Sequence, residues 1–316
     1  MVRMLALLSA ALLCALLVPL PDSPAAQNSW AEGAPDSWAK LDLSALQGSG
    51  VGFVCPMDRD VSSKTPGFCP RCGMKLVAGI PDSKEYPVEI TAAPPAIEPG
   101  KNIQLTFRIE DPKTHSPVRD FEIVHEKLYH LFVVSQDLSF FTHTHPELQP
   151  NATFRLNLRF PKSGMYRVLS DFYPKGGTPQ LAVNTLIASG GEFEGEPEPA
   201  TLAPDLAPQR AENINVELVT EPAQPLAGRK TTMLFRMKPN DGIELYLGAW
   251  AHMLAASSDL IDMIHSHPIQ AIDHGGEYKE LQFNMLFPRT GIYRVWVQSQ
   301  RKGVVNTVAF NVPVGE

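Results

Sequence analysis

The sequence predicts an all-β fold: a small cysteine-bearing segment followed by two tandem antiparallel β-sandwiches. Three observations predict it. Short runs of alternating apolar and polar residues recur from residue 86 to the end. The second half of that region repeats the first. Outside the N-terminus no long segment keeps a 3.6-residue apolar period, and 29 prolines among 316 residues disfavour helix interiors and central strands. Composition agrees with a packed chain: 44% apolar, 19% charged.

From the N-terminus, Arg3 precedes an apolar run from Met4 to Val18, and small residues follow at Ser23, Ala25 and Ala26. This is the layout of a secretory signal peptide over residues 1–26, cleaved near Ala26. The apolar run is short for a membrane span, so no stable span is expected after cleavage. Cys14 is preceded by Leu13, where a lipidation site wants a small residue. The protein is therefore expected in the periplasm or secreted, an oxidising setting. Residues 27–50 are polar and read as a linker.

Residues 51–79 hold the other three cysteines, Cys55, Cys69 and Cys72. The Cys-Pro-Arg-Cys-Gly stretch has the form of a knuckle that turns thiolates inward around a metal. Three thiolates suit Cu(I) or Zn(II), and thioethers from Met57 and Met74 would favour Cu(I). The alternative is a disulfide with one thiol left over. An odd thiol in an exported protein is awkward, and so short a segment needs a metal or a staple to fold, which favours metal.

The repeat spans residues 84–190 and 212–316, joined by a Glu- and Pro-rich linker over 191–211. HLFVVSQDLSFFTHTHP from His130 is matched without a gap by HMLAASSDLIDMIHSHP from His252. FPKSGMYRV from Phe160 is matched by FPRTGIYRV from Phe287, and Val183-Asn-Thr185 by Val305-Asn-Thr307. In repeat 1 the strands are expected over 102–109, 128–134, 153–160, 165–172 and 181–187. In repeat 2 they are expected over 215–219, 231–237, 281–287, 293–299 and 304–312.

All 9 histidines lie in the repeats. Residues two apart on a strand share a face, so His143 and His145 project together, as do His265 and His267. A hairpin turn near residues 136–138 brings His130 beside His143 or His145. One register gathers all three on one face and a one-residue slip splits them; the sequence does not choose. His252 stands to His265 and His267 as His130 does to its pair. A lone His would more readily cap a loop. A His plus His-x-His, repeated at identical spacing, favours a Cu(II), Zn(II) or Ni(II) site, although duplication copies structural residues equally well. His125, Glu126 and Asp171 are added in repeat 1, where repeat 2 has Leu247, Gly248 and Gln298, so repeat 1 reads as the better-equipped site. Met253 and Met263 read as core or as soft ligands.

These residues carry several resemblances. Cys55-Pro56-Met57, Pro66-Gly67-Phe68-Cys69-Pro70, Cys72-Gly73-Met74 and Leu76 resemble the heavy-metal-binding domain of some bacterial copper-transporting ATPases and metal-efflux adaptors. Asp58 and Arg59 replace that family's usual His and Pro, which leaves the fourth ligand to Asp58, a Met or solvent. The resemblance covers under a tenth of the chain. The Gly-x-Tyr-x-Val patterns at Gly164 and Gly291 resemble the tyrosine corner of immunoglobulin-like sandwiches, in which a Tyr hydroxyl pins a loop to backbone. Residues 125–146 resemble exported bacterial β-sandwich proteins often found with the heavy-metal-binding segment. Related immunoglobulin-like and cupredoxin-like envelope modules often handle copper. Blue-copper chemistry is not implied, because neither sandwich has a Cys.

The expected function is metal binding, copper first and zinc next, with buffering or transfer to a metal-efflux or cuproprotein partner in the envelope. The alternatives are an interaction module with a structural zinc ribbon and, third, a metalloenzyme using Asp171 or Glu126 as base. No His-Glu-x-x-His, Gly-x-Ser-x-Gly or phosphate loop is present, and the chain is read as a non-enzyme. The long helical hairpin of efflux adaptors is absent from the pattern. A net charge of −7, with no basic cluster, argues against nucleic acid as a partner.

Overall fold

The computed structural model describes residues 52–54, 62–70, 73–79, 84–189 and 200–316. The chain divides after Pro81 into two units. The expected signal peptide, the 27–50 linker and residues 190–199 lie outside the described residues. All the regular structure described is β, and the all-β expectation is borne out.

The first unit is a three-stranded antiparallel sheet in the order β2-β1-β3, formed by β1 (Gly52–Val54), β2 (Ser62–Ser63) and β3 (Val77–Gly79). Phe53, Cys69 and Leu76 make its small buried cluster.

The second unit holds both repeats. In repeat 1, one sheet has the order β4-β5-β9-β8, from Val88–Ala93, Asn102–Ile109, Thr153–Arg159 and Glu147–Leu148. The facing sheet has the order β11-β10-β6-β7, from Gln180–Ala188, Gly164–Phe172, Tyr129–Ser135 and Phe141–Thr144. In repeat 2, one sheet runs β12 (Gln209–Arg210), β13 (Asn215–Glu221), β14 (Lys230–Lys238), β19 (Lys279–Leu286), β18 (Gln270–Asp273). Its facing sheet has the order β15 (Ile243–Glu244), β20 (Gly291–Arg301), β16 (His252–Ser257), β17 (Met263–Ser266), and β21 (Val304–Val314) also pairs with β20. Every pairing among the described strands is antiparallel; short hairpins join β6 to β7 and β20 to β21, while β5–β9, β6–β10, β14–β19 and β16–β20 pair strands distant in sequence.

Strands β6 and β16 join the two repeats. All seven residues of β6 and all six of β16 are buried. On β6, Tyr129, Leu131 and Val133 point into their own sandwich core, while Phe132 and Val134 join a second cluster. On β16, Met253 and Ala255 face the core and Leu254 and Ala256 join that same second cluster. The two sandwiches therefore pack together through these outer faces. Leu138, Leu169, Leu260 and Trp296 complete the apolar seam, and Phe141 stacks on Trp296 at 4.8 Å. Each large apolar side chain so buried contributes about 1.5–3 kcal/mol to the docking of the repeats.

The repeated Ser-x-Asp-Leu is the turn that closes each His-bearing hairpin. Ser135 Oγ donates to Asp137 at 2.6 Å and Ser257 Oγ to Asp259 at 2.5 Å. Leu138 (φ 59°) and Leu260 (φ 55°) sit in the left-handed region. That costs each about 1–2 kcal/mol. Burial in the seam, at 1% exposure for both, returns about 1.5–3 kcal/mol. The turns are clamped from the Phe-Pro-Lys/Arg segments: Lys162 pairs with Asp137, and Arg289 with Asp259 and Asp262.

The tyrosine corners are present. Tyr166 Oη donates to Lys162 O at 2.8 Å. Tyr293 Oη donates to Asp262 Oδ2 at 2.7 Å and lies 3.2 Å from Arg289 O. A neutral bond contributes about 1 kcal/mol and one to a charged partner about 1.5–3 kcal/mol. Tyr293→Phe should therefore cost more stability than Tyr166→Phe in urea unfolding, and equal losses would contradict this account of the second corner.

Candidate metal centre

Strand pairing sets the His geometry. In repeat 1, Leu131 lies opposite Thr144 and Phe132 opposite His143. In repeat 2, Met253 lies opposite Ser266 and Leu254 opposite His265. These equivalent registers gather His130, His143 and His145 on one face, and His252, His265 and His267 on the other repeat's equivalent face. In each triad one nitrogen from every ring lies within 4.8 Å of the others. Both faces are the outer, seam-forming ones, so the two triads meet. The His130 and His252 rings are 5.7 Å apart, and His143 and His252 5.2 Å.

Hydrogen bonds on the far side of four of the six rings fix where their lone pairs point. His130 Nε2 donates to Val124 O at 2.9 Å, and His252 Nε2 to Tyr246 O at 3.0 Å. Carbonyls only accept, so these nitrogens carry the proton and Nδ1 is the lone-pair atom in each ring. His265 Nδ1 donates to Asp171 Oδ2 at 2.5 Å and His143 Nδ1 to Gln298 Oε1 at 2.9 Å, leaving Nε2 with the lone pair. His130 Nδ1 and His143 Nε2, both lone-pair atoms, stand 3.1 Å apart, and His145 Nε2 lies 3.2 Å from the same His130 Nδ1. His265 Nε2 is buried and has no hydrogen-bond partner. Such atoms call for a bound cation or another group to satisfy them.

His130, His143, His145, His252 and His267 are neutral ligands at neutral pH. Burial brings His130 down to about 4, His145 and His252 to about 3, and His267 to about 2. Neighbouring imidazoles push His145 and His267 the same way, and burial also lowers His143 and His125. Metal binding needs deprotonated imidazole, so protons compete weakly here. Six converging imidazole nitrogens suit Zn(II), Cu(II) or Ni(II).

The structure reverses one expectation. Asp171 lies on β10 in register with His130 of its own repeat, yet its carboxylate bonds His265 of repeat 2. His125 likewise crosses over: its ring lies 3.8 Å from His267 and 5.6 Å from His252. These two residues of repeat 1 therefore equip the triad of repeat 2. The crossing arises because the His faces point away from their own cores and into each other. Residues 124–127 and 246–249 form equivalent tight turns, with φ of 47° and 64° at His125 and Glu126, and 51° and 73° at Leu247 and Gly248. The turns touch across the seam; a Cβ on Gly248 would lie 3.5 Å from Glu126 Cγ.

Other residues fall elsewhere. Met253 is core, and Met263 is in the apolar seam. His274 stacks on Tyr278 in repeat 2, and His115 sits in a turn at φ 53°. Sequence reasoning missed Phe132, whose ring stacks at 4.2 Å on His143 and lies 4.6 Å from His265. Gln298 entered only as an aligned residue. The unbroken apolar run of β6 was the available signal, since burial on both faces leaves no alternation. Next to His145 is an open pocket of about 320 Å³, whose lining includes Glu147, Gln149 and Arg155.

In the first unit, Cys69 is buried. Its N–H donates to Met74 O at 2.7 Å, Gly73 N to Cys69 O at 2.9 Å and Leu76 N to Gly67 O at 2.9 Å. Gly73 takes φ 74°, a conformation suited to glycine, so the knuckle turn is built as its sequence requires. Met74 is exposed. Cys55, Met57, Asp58 and Cys72 lie outside the described residues.

Comparison with known families agrees with this layout. A heavy metal binding domain model matches residues 53–78. A second model, a domain of unknown function (DUF8832), matches twice, over residues 82–188 and 209–316. The chain belongs to the DUF8832 family. No curated protein matches this DUF8832 chain. Among solved structures it is similar to the Escherichia coli adhesin FdeC, at 13% identity over 76% of this chain and 71% of that one, TM-score 0.26. It is also similar to the Yersinia pseudotuberculosis adhesin InvE, at 11% identity over 72% and 60%, TM-score 0.23. A third is the bacterial integrin-binding protein invasin, at 12% over 72% and 39%, TM-score 0.20. Likeness at this level says nothing of function.

Proposed function

We propose that this is an exported metal-binding protein, taking copper first and zinc next, that buffers metal or passes it to partners in the cell envelope. One observation carries the reading: ring nitrogens of each His triad converge within 4.8 Å of one another, and the buried Nε2 of His265 has no hydrogen-bond partner. The heavy metal binding match over residues 53–78 supports it from a separate part of the chain. Cys55, Cys69 and Cys72, with Met57, Met74 or Asp58, would hold a soft ion. The two His triads would hold divalent ions. Asp171, the sequence's candidate base for catalysis, is engaged by His265.

The test is metal content by mass spectrometry on protein purified without chelator and then challenged with Cu and Zn. Two or more copper ions per chain, lost stepwise on His and Cys substitution, is the expected result. One tight zinc and nothing more would sink the transfer reading. It would favour an interaction module, for which the exposed Leu181, Val183 and Ile187 on β11 offer a surface. Cys69→Ser with Cys72→Ser should remove the thiolate-held ion and leave the β signal in circular dichroism. Loss of that signal would show that the sandwiches depend on the first unit.

A further inference from the structure

We propose that the two triads are unequal: His252, His265 and His267 form a tight holding position, and His130, His143 and His145 a weaker, exchanging one. This rests on the proposed metal binding and adds order and regulation to it. The ligands themselves are matched, ring for ring. What differs is the residue behind one ligand in each triad. His265 Nδ1 donates to the Asp171 carboxylate, whereas His143 Nδ1 donates to the Gln298 amide. The two positions correspond, Asp171 lying in register with His130 and Gln298 with His252.

A carboxylate behind an imidazole makes it more basic and offsets the charge that a divalent ion brings into a buried site. A neutral amide fixes the ring but offsets nothing. Outer partners of this kind typically change metal affinity 10–100-fold. Two further features act in the same direction. His125 lies against His267, ring centroids 3.8 Å apart, while His145 borders the open pocket next to Glu147. With rings of the two triads 5.2 Å apart, the first ion also repels the second. The first divalent ion would thus settle in repeat 2, and the ion in repeat 1 would be the one available to an acceptor.

The test uses the full chain with Cys55, Cys69 and Cys72 changed to Ser, so that zinc reports only the imidazoles. Zn(II) is titrated against a chromophoric chelator of known affinity, with circular dichroism to confirm folding. Two zinc sites with affinities about 10–100-fold apart are expected. His265→Ala should delete the tighter and His143→Ala the weaker. Asp171→Asn, which keeps shape and loses charge, should weaken the tight site by that factor. Gln298→Glu should strengthen the weak one. Two equal sites, an indifferent Asp171→Asn, or loss of the tight site in His143→Ala would overturn the inequality while leaving metal binding in place. No zinc at all in the Cys-free chain would overturn both.

Discussion

Acidification from pH 7 towards 4 should strip stability from the metal-free protein, and zinc should delay the loss. An unfolded His titrates near 6.5. The folded-state values of about 4 for His130, about 3 for His145 and His252 and about 2 for His267 lie below that. Between these limits the unfolded chain binds protons that the folded one refuses, so stability falls as pH falls through 6.5 and continues to fall until the folded values are reached. For His130 alone the full shift corresponds to roughly 3 kcal/mol. Two or three such groups match the whole stability of an ordinary domain, about 5–15 kcal/mol. Zinc at a hundred times its dissociation constant adds about 2.7 kcal/mol per site, or about 5–10 °C in melting temperature for a unit of this size. Thermal melts at pH 7, 6, 5 and 4, with and without zinc, read both effects. A melting temperature that holds or rises between pH 7 and 5 would contradict the buried, neutral imidazoles.

Phe132→Ala should damage the fold and both triads together. The ring is 1% exposed in the seam between the repeats. It packs against His143 of one triad and His265 of the other. Truncating a buried Phe costs about 3–5 kcal/mol, because the cavity is only partly refilled. The expected signature is a lower urea midpoint accompanied by weaker zinc binding at both positions. A large stability loss with unchanged zinc affinity would mean that the imidazoles are held by their hydrogen bonds alone. Unchanged stability would contradict the seam itself.

Much of the fold was legible because it rests on local chemistry. Alternation in Asn102–Ile109 and Lys230–Lys238 marks strands with one face in the core. Ser135-x-Asp137-Leu138 and its copy mark a turn whose side chains bond their own backbone neighbours. The His residues were visible as a repeated pattern, but their register was not. A hairpin's pairing depends on the turn conformation of Leu138, a non-glycine residue at positive φ that a sequence does not announce.

Repetition and spacing are properties of the chain, so two copies of one β-domain with matched His sets behind a cysteine knuckle follow from residue order alone. Which groups those His sets face depends on how the two sandwiches dock. Both faces of β6 and β16 are apolar, so each sandwich buries its outer face against the other, and the His sets at the seam's edge are brought together. Asp171 and His125 then belong, in space, to the opposite repeat. No pattern within one copy encodes that crossing, because it is set by how two apolar faces dock.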